Sequence, residues 1–181
     1  RQWRAKRDFI DDELNEHRSN IKKKASGQCV NTYVSDEWTM EYDLAYFGLA
    51  DEMYIAAHLA KKDAYYAIKG KDFTDDDLLK EKGFAKEKLQ RIKDSIVAMG
   101  VSDTENNEQY KEHLASHVYA MFNVGTKASK PMAAQYLADI LESKPHCIYW
   151  QKKLPPYLVK AIKYVTKMTL PESDEVLIND R

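Results

Sequence analysis

Thr39 and Glu41, a hydroxyl and a carboxylate two residues apart, are the most suggestive pair of donors in the chain. Hard oxygen donors of this kind suit Mg²⁺ or Mn²⁺ rather than zinc. The two converge on one cation only if the first helical turn is irregular, or if the pair lies just before regular helix begins. They belong to the stretch Ser35-Asp36-Glu37-Trp38-Thr39-Met40-Glu41-Tyr42-Asp43-Leu44-Ala45, which follows the β-branched and aromatic run Cys29 to Val34. A strand followed by a helix start would place these groups where helix N–H groups point outward, a favoured address for a site in an α/β sheet. The same residues also fit an ordinary capped N-terminus, where the helix dipole favours acids.

A lysine at a helix start is the second feature with chemistry in it. Pro131 suits the first turn of a helix, which leaves Lys130 at the cap and Ala134, Leu137 and Ala138 on the expected inner face. Its charge opposes the dipole there, so contact with a phosphate or a metal-bound water would explain the position; a solvated lysine at a loop-to-helix junction is the plainer alternative. His113 and His117 are four apart on an expected helix. That spacing can bind zinc, but no third ligand lies nearby, and Glu112 is misplaced for a His-Glu-x-x-His protease. Cys29 and Cys147 are the only cysteines, too few for a disulfide scaffold, which fits a reducing cytoplasmic setting.

The elements that must carry these residues are mostly helical. With 181 residues, 44% of them hydrophobic and 31% charged, and only 6 Gly and 5 Pro, the chain has room for one domain of ordinary size and is no disordered or collagenous polymer. Residues 1 to 24 read as a long solvated helix, and Cys29–Val34 as the clearest strand. Helices are expected over Trp38 to about Ile68, Asp75 to Lys82, Ala85 to Met99, Asn107 to Asn123, Lys130 to Ser143 and Pro156 to Met168, with Gly70, Gly83, Gly100 and Gly125 as stops. His146 to Trp150 is a second short strand candidate, and the tail from Pro171 is acidic. No apolar run reaches the roughly 20 residues of a membrane span, and the start lacks a signal peptide's apolar core.

The formal net charge is only -1, but the signs are segregated. Ser35 to Gly83 holds 12 acids against 6 bases, whereas Lys127 to Lys167 holds 8 lysines against 2 acids. An acidic segment that binds cations and a basic one that contacts phosphates would together suit a phosphodiester; solvated helix faces of opposite sign account for the pattern equally well.

Three stretches together are similar to a known family. Trp38-Thr39-Met40-Glu41-Tyr42-Asp43-Leu44-Ala45 resembles the "TLEyDLA" segment of the Toprim nuclease domain in OLD-family (overcoming lysogenization defect) ATP-dependent endonucleases. Lys130 to Ala138 resembles its later "K...A..LA" helix, and Pro155-Pro156-Tyr157-Leu158-Val159-Lys160-Ala161-Ile162 its closing "vP.YikdAI" segment. Order and local spacing agree from about Val30 to Met168.

The resemblance implies an α/β, helix-dominated fold: a partial, Rossmann-like Toprim domain with an inserted helical bundle. Residues 1–68 would be the C-terminal part of the Toprim core with its leading helix, 69–123 the insertion, 124–168 the closing helices and 169–181 an acidic tail. It implies a DNA endonuclease that hydrolyses phosphodiesters with two Mg²⁺ or Mn²⁺ ions, and plausibly a role in defence against phage. Thr39 and Glu41 would bind metal, and Glu41 and Lys130 would be catalytic, the lysine offsetting transition-state charge. Asp43 would support the ligands from behind, and Lys127, Lys130 and Lys160 would contact DNA. A homo-oligomer and an N-terminal ABC-type ATPase domain, which alone would use ATP, are implied too, as is compatibility with a helicase partner of the Gabija kind.

The family's early glutamate and Asp-x-Asp motifs are not found in residues 1 to 34, and Asp75-Asp76-Asp77 follows Glu41 with no hydrophobic strand before it. A Walker A signature is missing as well. The expectation is therefore that the chain alone is neither a complete nuclease nor an ATPase, its other half preceding Arg1. The rival expectations are a non-catalytic helical assembly module and a lysine-rich DNA-binding module.

Overall fold

The computed structural model describes residues 11–25, 31–104, 106–144 and 152–166, and every regular element among them is helical. In order they are α1 (Asp11–Ala25), α2 (Met40–Leu44), a π-helical turn (Ala45–Leu49), α3 (Ala50–Ile68), α4 (Asp75–Ala98), α5 (Glu108–Asn123), α6 (Lys130–Glu142) and α7 (Pro156–Thr166). This overturns the expected α/β, Rossmann-like Toprim fold, because no strand or sheet is present among the described residues. The stretch 31–34 is not paired as a strand. A strand needs a neighbour to take up its N–H and C=O groups, and the described structure surrounds this segment with helices. Cys29, Val30 and the second strand candidate, His146 to Trp150, lie outside the described residues.

Helix α3 is the axis of the bundle. It packs against α4, α5 and α6, and every residue from Glu52 to Ala60 is buried. Burial around the whole circumference requires small side chains wherever neighbours come close. Ala56, Ala57 and Ala60 meet that requirement and are fully inaccessible, as is Leu59. Around them lie Leu89 and Ile96 of α4, Leu114, Val118 and Phe122 of α5, and Ala133 of α6.

Gly48 divides what the apolar pattern suggests is one helix from Trp38 to Ile68. Its φ of 122° lies in the left-handed region and interrupts the helix between α2 and α3. Conversely, Gly83 does not stop a helix: α4 runs through it from Asp75 to Ala98. The reciprocal bonds of Thr74 and Asp77 cap its start, and buried Glu81, Ala85, Leu89 and Ile96 hold one face of it to the core. Tertiary packing thus outweighs the local cost of glycine. On α6 the inner face is Ala133, half-buried Leu137 and Ile140, while Ala134 and Ala138 are exposed, one position away from the inward face expected.

Buried charge on α3 is compensated from α4. His58 Nε2 lies 2.8 Å from Glu81 Oε2, and Lys62 Nζ 3.0 Å from Glu81 Oε1. Burial holds the His58 imidazole below its ordinary value, against the opposing pull of Glu81. Burial disfavours the Glu81 carboxylate, yet hydrogen bonds from His58 and Lys62 keep it below its ordinary value. A neutral His58 then donates from Nε2 to an ionised Glu81.

Two outcomes follow from this packing. A Cβ at Gly83 would meet nothing within 4 Å, so Gly83→Ala is expected to raise stability by about 0.5–1 kcal/mol in denaturant unfolding. Folding lowers the His58 pKa below the ordinary value of 6.5, so below that pH the unfolded chain binds a proton that the folded chain resists, and stability falls. Glu81 adds a further loss as pH drops below 4.5. His58→Gln should flatten the denaturant midpoint between about pH 7 and 5 while leaving the more acidic loss in place.

Candidate functional site at the start of α2

The loop before α2 is shaped by one carboxylate. Asp43 is completely buried, and its Oδ2 accepts the backbone N–H groups of Asp36 at 3.0 Å and Glu37 at 3.2 Å, while Oδ1 accepts that of Trp38 at 2.8 Å. Burial pushes its carboxyl upward, and the three N–H groups oppose that push. Arg18 of α1 donates to the Glu37 carbonyl at 2.8 Å, and the Trp38 ring meets Tyr119 of α5 edge-on at 6.3 Å between centroids. The loop is thereby tied to α1, α2 and α5 together.

Thr39 is the N-cap of α2, with extended backbone (φ -128°, ψ 164°). Its Oγ1 accepts the Tyr42 N–H at 3.4 Å. The hydroxyl therefore stands before regular helix, and Glu41 stands in the first turn. Glu41 is 5% exposed, and its Oε1 receives Lys130 Nζ at 2.7 Å from the start of α6. The pair joins residues far apart in sequence, and it gives Lys130 the reason for its place against the helix dipole: a buried carboxylate in reach. The ammonium end remains open, since 59% of the Lys130 side chain is exposed.

The third stretch arrives from α7. Tyr157 is buried, and its hydroxyl has no hydrogen-bond partner among the described residues. Burial, together with the negative charge of Asp43, Asp36 and Glu41, raises the phenol far above its ordinary value. The structure thus joins Glu41 to Lys130, sets Thr39 and Asp43 to the cap and the loop of the same short helix, and buries Tyr157, which the residue types alone did not single out. Its signal lay in Pro155-Pro156-Tyr157: Pro155 is fully buried at the mouth of α7 and aims the tyrosine inward. Lys127 and Lys160 are both exposed, and neither forms an ion pair among the described residues. His113 and His117 belong to no metal-binding group among the described residues.

These groups do not, by themselves, make a two-cation centre. A divalent cation such as Mg²⁺ takes about six oxygen ligands. Here Asp43 is committed to three N–H donors and Glu41 to Lys130. Among the described residues no three His, Cys, Asp or Glu side chains come close enough to hold a metal ion. What the arrangement offers is one buried carboxylate paired to one accessible ammonium, with a phenol hydroxyl nearby. No family model, curated protein or solved structure matches the chain.

Two substitutions probe this construction. Asp43→Ala strands three backbone donors in a partly buried loop and should lower stability by about 1–3 kcal/mol, read by denaturant unfolding. Tyr157→Phe removes a buried hydroxyl that lacks a partner among the described residues, so stability should hold or rise by up to about 1 kcal/mol; a clear loss would show that the hydroxyl bonds to another part of the protein.

Proposed function

We propose that the chain supplies the Glu41–Lys130 pair to phosphodiester hydrolysis by an OLD-type, metal-dependent DNA endonuclease. The observation that carries this reading is the 2.7 Å contact between Glu41 and Lys130, which joins two of the separated stretches that resemble the family. Lys130 has three donors and uses one on Glu41. Its exposed ammonium can give another to a phosphate oxygen of DNA while the buried carboxylate keeps it in position. Thr39 and Glu41 are too few to hold the cations that such chemistry uses, so the reading requires ligands from residues beyond those described. In keeping with it, the parent protein would be a cytoplasmic homo-oligomer with an ABC-type ATPase domain that acts on phage DNA, alone or with a helicase. No described helix is long and apolar enough to cross a membrane.

The helical character of every regular element among the described residues favours a second reading, a non-catalytic module that holds an assembly together. Plasmid nicking by the full-length protein in Mn²⁺ or Mg²⁺ separates the two. Under the nuclease reading Glu41→Ala and Lys130→Ala each reduce nicking by about 100-fold or more at unchanged fold, and Lys130→Arg retains part of the activity. Undiminished cleavage by the Glu41 variant would remove the nuclease role from this site and leave the assembly module. Exposed Lys127 and Lys160 would contribute to DNA affinity, which then weakens steeply with salt.

A further inference from the structure

A cavity lined by charged residues lies at the far end of α6 from Lys130. Lys130 opens that helix and Lys144 lies just beyond its close at Glu142, so at 1.5 Å per residue the two are about 20 Å apart along the axis. Between α3, α4 and the end of α6 is a cavity of about 480 Å³, within the range of small-molecule sites, roughly 300–1,000 Å³. Its apolar lining comes from Ile55, Leu89 and Ile140, each buried in the core.

Lysines border this apolar lining from two elements, Lys82, Lys86 and Lys93 on α4 and Lys144 just beyond α6. Lys93 is paired with Asp51 at 2.8 Å, and Lys144 with the buried carboxylate of Glu52. Lys82 and Lys86 line the same cavity from successive turns of α4. Neither has a carboxylate partner among the described residues. Like charges four apart on a helix repel. The cavity lining holds four lysines against Asp51 and Glu52, an excess of two positive charges. A phosphomonoester at neutral pH carries about -1.5 to -2, which matches that excess. The lining also leaves hydrogen-bonding capacity for a polar ring: Ser143 Oγ donates to Ile140 O, and Gln90 Nε2 to Asp94 Oδ1, so their oxygens remain able to accept.

We infer that this cavity binds a mononucleotide, its phosphate between Lys82 and Lys86 and its base against Ile55, Leu89 and Ile140. The site is separate from the Glu41–Lys130 pair and does not rest on the nuclease reading. An apolar lining makes the whole nucleotide a better ligand than its phosphate alone, and a cavity of this size is too small for a strand of nucleic acid to fill.

Isothermal titration calorimetry on the full chain tests this with adenosine monophosphate, inorganic phosphate and a single-stranded oligonucleotide as separate titrants. Saturable binding of the mononucleotide is expected, at least tenfold tighter than inorganic phosphate, and weakened at least tenfold in the Lys82→Ala/Lys86→Ala double variant. Both lysines are at least partly exposed, so circular dichroism should show the double variant folded; Lys86→Gln alone, at the more exposed position, should give a smaller loss in the same direction. The proposal is overturned by absence of saturable nucleotide binding at millimolar concentration, by binding indifferent to the double substitution, or by phosphate binding as tightly as the nucleotide. It is also overturned if the oligonucleotide binds more tightly than the mononucleotide through the same lysines, which would make the cavity part of a nucleic-acid path.

Discussion

The three backbone bonds accepted by Asp43 decide the shape of everything around Glu41. A buried carboxylate is costly unless its lone pairs are used, and the N–H groups of Asp36, Glu37 and Trp38 use them. The same N–H groups have no strand partner, since the segment before α2 pairs with no strand among the described residues. One side chain therefore replaces, for three residues, the ladder that a sheet would have provided. Thr39 is left at the cap of α2, and Glu41 is turned toward the start of α6, where Lys130 meets it.

That geometry holds only because α3 is a close-packed axis. Its inaccessible alanines let α4, α5 and α6 come near, and the break at Gly48 lets the short α2 leave the line of α3. Charges that fall inside are matched across helices, His58 and Lys62 with Glu81, and Lys144 with Glu52. Buried ions of this sort contribute less to net stability than their contacts suggest, but removing one partner leaves the other exposed to the full desolvation cost. The polar groups inside the bundle therefore act mainly to select one arrangement of the helices. The lysine of the Glu41–Lys130 pair is the most open to solvent of these, 59% exposed against 45% for Lys144, a feature suited to contact with an anion.

Most helices could be read from the residues. The starts of α5 and α6, at Asn107 and before Pro131, follow from capping chemistry that acts within four residues. The errors arose where distant contacts outweighed local preference. Gly83 has the look of a stop but lies within α4, because Ala85 and Leu89 bury against the core. Cys29 to Val34 has strand composition, yet residues 31–34 have no paired neighbour among the described residues, and β propensity yields a strand only beside another one. The Rossmann-like expectation failed on that point.

By itself the sequence determined where most helices lie and the contrast between an acidic segment, Ser35 to Gly83, and a lysine-rich one, Lys127 to Lys167, because periodicity, capping and charge are local properties. Only the tertiary structure decided that Lys130 meets Glu41, that the Trp38 ring meets Tyr119 edge-on, and that Lys144 reaches Glu52. These relations join residues remote along the chain, and the close packing of α3 with its neighbours determines which of them approach one another.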